Sequence, residues 1–152
     1  MLKFTYLGHI FTHDLKDNDD IVRQRRALCG RANFLLRKFY SCSIVVKLRL
    51  FNAFCNNIYG NHLWCDFNLS AMRSIIVCHN NAFRRMLGYP SYTSASKLFV
   101  NNTVNCLSVL RRRAALSFKV RLNKSNNVLV NRLIACDMQF FGLQAHWQKI
   151  LY

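Results

Sequence analysis

Glutamate is absent from the 152 residues, and the acidic complement is six aspartates: Asp14, Asp17, Asp19, Asp20, Asp66 and Asp137. A general acid/base pair has to be drawn from these six, and four of them share one short, loop-like stretch. No Walker loop, GxGxxG, HExxH, GxSxG or DFG sequence occurs. His9 and His13 stand four apart at the end of a strand-like segment, so helical zinc spacing fails. Cys78-His79 is a poor nucleophile–base pair, because adjacent residues on a helix do not face each other. No catalytic constellation survives, and no catalytic residue is expected.

Paired cysteine motifs are also missing. The seven cysteines (29, 42, 55, 65, 78, 106 and 136) are odd in number and widely spaced, with no CxxC. Structural zinc therefore has weak support, and no metal site is expected. Several cysteines fall on apolar helical faces, which suits reduced, buried thiols in a reducing interior. Long apolar runs are lacking too. Leu50–Cys65 is the longest charge-free stretch of high hydrophobicity, and it contains Asn52, Asn56, Asn57, Asn61 and His62. It is too short and too polar to span a bilayer. No signal h-region follows Met1, since His9, His13 and Asp14 interrupt it. An intracellular, nuclear or cytoplasmic location is expected, without secretion.

What is abundant is positive charge. Lys and Arg number 22 and the formal net charge is +16. Residues 1–20 carry a net −2, and residues 21–152 a net +18. Self-repulsion of that size weakens a compact fold unless an anion is bound. Arg outnumbers Lys 14 to 8, which suits forked contacts with phosphate. A polyanion, nucleic acid first, is one reading; a solvated basic surface is the other. The length suggests one domain or a piece of a larger one. It is enough to bury roughly two-thirds of the unfolded chain's surface.

Along the chain, Leu2–Thr12 reads as a strand with a break at Gly8, or as a hairpin. Phe4, Tyr6, Ile10 and Phe11 suit a pleated, half-buried surface. A lone strand is unstable in water, so this segment is expected to need sheet partners from outside. His13–Asp20 is an acidic connector in which Asp19 or Asp20 can cap the next helix. Apolar periodicity predicts helices over about Ile21–Tyr40, Ile44–Tyr59, Leu69–Leu87 and Val104–Leu122. The respective stripes run through Ile21/Leu28/Ala32/Leu35/Phe39, Ile44/Leu48/Phe51/Cys55/Ile58, Met72/Ile76/His79/Phe83/Met86 and Val104/Leu107/Leu110/Ala114/Phe118. Ser41 or Ser43 and Ser70 are candidate caps, and Gly88 with Pro90 is a stop signal. Arg25 lies near the first stripe and either pairs, snorkels or meets a ligand. Tyr89–Ser96 reads as a turn. Further helical pieces are expected in Val128–Tyr152, with Phe140, Phe141 and Trp147. The fold class is thus mainly α: an N-terminal strand or hairpin, then a bundle of four to six helices.

One ordered set of short tracts goes beyond composition: Phe4-Thr5-Tyr6-Leu7-Gly8-His9-Ile10, Lys47-Leu48-Arg49-Leu50-Phe51, Ile58-Tyr59-Gly60-Asn61-His62-Leu63-Trp64 and Asn80–Gly88 with its Arg84-Arg85-Met86-Leu87-Gly88 end. In that order and spacing the chain resembles the region just after the catalytic palm in reverse transcriptases of non-LTR retrotransposons (LINE-type, jockey- and CR1-like). The resemblance covers about Lys3–Tyr92 and fades after about residue 125. It implies three parts: residues 1–12 as a remnant of the palm sheet, 13–122 as a helical thumb-like domain, and 123–152 as a C-terminal helical extension. It implies that Tyr6, Leu7 and Gly8 sit near a primer 3′ end. It also implies that thumb helices lay basic groups on the phosphates of an RNA/DNA template–primer duplex. Arg23, Arg26, Arg84, Arg85, Arg111, Arg112 and Lys119 are the candidates for that role.

The family's Ala-Asp-Asp turn is not in this sequence. Asp19-Asp20 is no substitute, since it lies after the Tyr-Leu-Gly tract and no aromatic residue or Ala precedes it. Two-metal catalysis needs such clustered carboxylates, so Mg2+ would belong to a missing upstream palm. The implied product is a thumb fragment of an RNA-directed DNA polymerase, starting at an internal Met of a decayed element. Two other readings stand beside it: a basic helical interaction or membrane-surface protein, and a product with no selected function.

Overall fold

The computed structural model describes residues 3–140. Lys3–Tyr6 (β1) and His9–Thr12 (β2) pair antiparallel, with Phe4 opposite Phe11 and Tyr6 opposite His9. The segment therefore takes the hairpin form, and the expectation that it needs outside strands in order to pair is corrected. Leu7 and Gly8 make the turn, with φ of 46° and 78°. Two positive φ values match the right-handed twist of the strands they join. Every residue of β1 is exposed, whereas His9 and Thr12 of β2 are buried. A two-stranded hairpin is marginal alone, and this one gains its stability by packing β2 on the first helix.

Six helices follow among the described residues: α1 (Asn18–Lys38), α2 (Ile44–Phe54), α3 (Leu69–Leu87), α4 (Ala95–Asn101), α5 (Leu107–Asn123) and α6 (Val128–Phe140). The mainly helical expectation holds. The short helix α4 lies partly in what reads from sequence as a turn. It starts where the Ser94 hydroxyl accepts a bond from the Lys97 N–H. At seven residues it is too short for the apolar period to register. The predicted pieces containing Phe141 and Trp147 lie outside the described residues. At the end of α3, Gly88 takes φ 78°, and the Tyr89 N–H reaches back to the Arg84 carbonyl at 2.9 Å. Only a residue tolerant of the left-handed region closes a helix this way without strain.

The aspartates do more than cap. The N-cap position of α1 is Asp17, without a side-chain capping bond, which corrects the assignment to Asp19 or Asp20. Asp17 Oδ2 instead accepts from the N–H groups of Cys65 (2.8 Å) and Asp66 (3.0 Å). Asp20 is wholly buried. Its Oδ2 accepts from Trp64 Nε1 at 2.9 Å. Its Oδ1 accepts from Arg23 Nε at 2.9 Å, Arg23 Nη2 at 2.6 Å and the Ile10 N–H at 3.2 Å. His9 lies between the two carboxylates, 3.2 Å from Asp20 and 3.6 Å from Asp17. A buried carboxylate is tolerated only when donors surround it, and these donors come from β2, α1 and the 64–66 loop. Gly60 closes the same corner: with φ 75°, a Cβ there would sit 3.2 Å from His9 Nδ1.

The core lies beneath this clamp. Ile21, Leu28, Ala32 and Leu35 of α1 share one apolar cluster with Phe51 of α2 and with Met72, Ile75, Ala82, Phe83 and Met86 of α3. Phe83 stacks on Phe99 of α4, with ring centroids 4.4 Å apart. The stripes read from sequence for α1 and α3 are the buried ones, except that Phe39 is half-buried just past the end of α1 and Ile75 is buried more fully than Ile76. Helix α2 ends at Phe54, short of the expected Tyr59; within it Phe51 is buried and Ile44 exposed, and Cys55 and Ile58 of the expected stripe are buried beyond its end.

His79 sits in this core with no solvent exposure. It stacks on Phe99 and bonds Asn56 Oδ1 through Nε2 at 2.9 Å. Burial pushes its pKa from 6.5 down to about 4. The unfolded chain therefore takes up a proton below pH 6.5 that the folded chain refuses until about pH 4. Stability from this group is complete above pH 6.5 and falls as pH drops through that window, by about 1.4 kcal/mol per pH unit. Between pH 7 and 4.5, urea unfolding should show the wild type losing about 2–3 kcal/mol more than His79→Phe. An equal loss in both proteins contradicts this assignment.

Candidate functional site

The clamp uses up acidic groups on one side of the molecule. Asp14 pairs with Lys16, Asp19 with Lys3, and Asp20 with Arg23. Among the described residues, the basic partners of these ion pairs are Lys3, His9, Lys16 and Arg23, all near the start of the chain. Three arginines border the junction where α1 lies along α3, the most extensive helix pair among the described residues.

Small residues shape that junction. Ala32 of α1 and Ala82 of α3 are buried at the seam, and their short side chains leave a depression that larger ones would fill. The result is an open groove of about 500 Å³. Arg25 and Arg26 line it from α1, and Arg85 lines it from α3. Asn33, Ser74 and Asn81 add neutral polar groups, and no carboxylate is among the lining residues. Arg26 and Arg85 are exposed, while Arg25 is half-buried. Arg85 also borders a second depression of about 320 Å³, lined by Tyr40 and Lys47. There the Lys47 ammonium lies 5.6 Å from the Tyr40 ring centre, and Tyr40 is largely exposed. The basic surface thus continues past Arg85 to an accessible aromatic ring.

The predicted contact residues fall into four groups. Arg26 and Arg85 meet in the groove. Arg23 is bound by both Nε and Nη2 to Asp20. Arg84 donates through Nε to the Thr93 carbonyl at 2.6 Å and through Nη1 to Asn81 Oδ1 at 2.7 Å, tying α3 to the loop after it. Arg111 donates through Nη2 to the Trp64 carbonyl at 2.7 Å and lies over the Phe67 ring at 4.8 Å. Burial lowers its pKa, against the pull of Cys65 and Asp17. These three guanidiniums hold the fold. Arg112 is exposed on α5 and Lys119 is half-buried there; neither lines the groove. Tyr6, Leu7 and Gly8 form the exposed tip of the hairpin, and they are absent from the groove lining as well.

Comparison with protein-family models, curated proteins and solved structures returns no match. The chemistry has to be read from this surface alone. Among the described residues, no group of three or more His, Cys, Asp or Glu side chains could hold a metal ion. No described helix is long and apolar enough to cross a membrane. What the groove offers is hydrogen-bond donors and fixed positive charge, a combination suited to an anion with several separated charges.

Sequence reasoning left Arg25 open and missed Asn33, Ser74 and Asn81. Arg25 stands out only as ambiguous, because it borders the apolar stripe. Asn33 and Asn81 carry no pattern that separates a groove lining from any other helical surface. In the division between structural and free arginines, Arg23 and Asp20 stand at the i, i+3 spacing of a helical ion pair, a signal the sequence does carry; the carbonyls that hold Arg84 and Arg111 belong to loops outside their own helices and leave none.

That division has a direct stability consequence. Arg84→Met and Arg111→Met should each lower the urea unfolding free energy by about 1–3 kcal/mol, because the half-buried Thr93 carbonyl and the buried Trp64 carbonyl lose their donors. Arg26→Met and Arg85→Met should stay within about 0.5 kcal/mol of wild type. The reverse ranking contradicts the assignment.

Proposed function

We propose that this chain binds nucleic acid through the phosphate backbone, with the α1–α3 groove as its contact surface. The observation that carries the reading is a groove free of carboxylates and bordered by Arg25, Arg26 and Arg85, in a protein of net charge +16. Guanidinium forks match phosphate oxygens in pairs. Contacts of this kind fix position and carry no sequence information. Asn33, Ser74 and Asn81 supply further donors to sugar or phosphate, and Tyr40 offers a face on which an unpaired base can stack.

The ordered tracts in residues 3–92 make the partner more specific. In this reading the chain is a thumb-like piece of a non-LTR retrotransposon reverse transcriptase, and the bound species is an RNA/DNA template–primer duplex. The chain grips without copying, because the paired aspartates that would hold magnesium for phosphoryl transfer are not part of its sequence. The helical bundle is compatible with a thumb. Tyr6, Leu7 and Gly8 at an exposed hairpin tip are compatible with a place near a primer end. Arg112 and Lys119 on α5 form a separate surface and would contribute long-range attraction more than contact.

A second reading rests on Ile44, Val45 and Val46, which are exposed together at the start of α2 beside Lys47. Apolar side chains next to a cation suit an anionic lipid surface.

Filter binding of an RNA/DNA duplex across a salt series separates these outcomes. If about five phosphates are neutralised, the log–log slope is about −4 to −5. Replacing Arg25, Arg26 and Arg85 together by Gln should flatten it by about 2–3. A slope near zero, or one unchanged in the triple variant, overturns the proposed surface. Stronger binding to anionic vesicles than to duplex at equal salt favours the lipid reading.

A further inference from the structure

Two thiols meet inside the basic groove. Cys29 of α1 and Cys78 of α3 line it, and their Sγ atoms are 2.7 Å apart across 49 residues of chain. Both are reduced. Cys29 is exposed, whereas Cys78 is half-buried and touches the Arg25 carbonyl at 3.9 Å. Two sulfurs this close need little backbone movement to bond. Of the seven cysteines, these two face each other between the two helices that build the core.

We propose that Cys29 and Cys78 are a redox-modification site: a reversible disulfide that staples α1 to α3, formed by exchange with an anionic small-molecule disulfide of the glutathione class. The groove selects the reagent. Arg25, Arg26 and Arg85 surround the pair and concentrate a disulfide that carries carboxylates.

The order of steps follows from access. Cys29 Sγ attacks one sulfur of the reagent, and the first thiol leaves. Cys78 Sγ then attacks Cys29 Sγ, and the second thiol leaves. The protons of Cys29 and Cys78 end on the two released thiols. The two cysteines lose two electrons in total, and the reagent gains them. Cys78 is unsuited to attack first, because burial, with Cys29 adding to it, pushes its thiol up to about 12. Once Cys29 carries the mixed disulfide, its part in that shift is gone and its sulfur is the target at contact distance. The proposal stands apart from nucleic-acid binding, since it needs only the sulfur geometry and the surrounding charge.

The test treats the full reduced chain with glutathione disulfide, blocks remaining thiols with N-ethylmaleimide, and maps the non-reduced digest by mass spectrometry. The expected product is a peptide crosslinked between Cys29 and Cys78, with the other cysteines blocked. The oxidised chain should melt higher, on the order of 10 °C, and a reducing agent should abolish that gain. Cys29→Ser and Cys78→Ser should show no gain on oxidation. Oxidation at low salt should be several-fold faster with glutathione disulfide than with the cationic disulfide cystamine, and the difference should shrink as salt rises. A stable glutathione adduct on Cys29 without the crosslink, or crosslinks scattered among other cysteines, overturns the staple. Equal rates with both reagents overturn the role of the arginines while leaving the staple in place.

Discussion

A carboxylate with no access to water has to be surrounded by donors, and Asp20 sets the terms for this fold. Its partners arrive from three places far apart in sequence: the Ile10 N–H of the hairpin, the guanidinium of Arg23 one turn along α1, and the indole of Trp64. Each bond to an ionised acceptor is worth more than a neutral one. Losing any one leaves the buried charge short of partners, at about 1–3 kcal/mol or more. The clamp therefore fixes the hairpin, the start of α1 and the 64–66 loop as one unit. Asp17 reinforces it through the Cys65 and Asp66 N–H groups.

The charge distribution follows from that arrangement. Four of the six aspartates lie in residues 14–20, and all four have partners within the clamp or its edge. Few carboxylates remain to neutralise the helices beyond. Arginines that reach carbonyls, such as Arg84 and Arg111, become parts of the structure. Those that border the small-residue seam of α1 and α3 are left facing an open groove. The internal use of acids and the external surplus of bases are two sides of one economy of charge.

The helical framework was legible because α1 and α3 are long and their apolar residues recur with the helical period. Gly88 was legible as a stop for the same local reason: a left-handed residue is needed there. The hairpin was only half legible. Leu7-Gly8 is not a preferred turn pair, and a leucine at positive φ runs against its own preference. The roles of Asp17 and Asp20 were not legible, because capping is a local rule and their Trp64, Cys65 and Asp66 donors lie 44 to 49 residues away. The site was partly legible. Arg26 and Arg85 follow from amphipathicity, and Arg23 with Asp20 has the i, i+3 spacing of a helical ion pair, whereas the diversion of Arg84 and Arg111 to the Thr93 and Trp64 carbonyls depends on loops that their helical pattern does not encode.

Internal acceptors take Arg23, Arg84 and Arg111, while Arg26 and Arg85 stay exposed along the groove, the set proposed to meet a polyanion. Arginine modification with phenylglyoxal, read residue by residue by mass spectrometry with and without an RNA/DNA duplex, tests this division most directly. Arg23, Arg84 and Arg111 should react slowly in both states, while Arg26 and Arg85 should react readily in the free protein and be protected by the duplex. Protection confined to Arg112, or equal reactivity of all arginines in the free protein, would contradict the account.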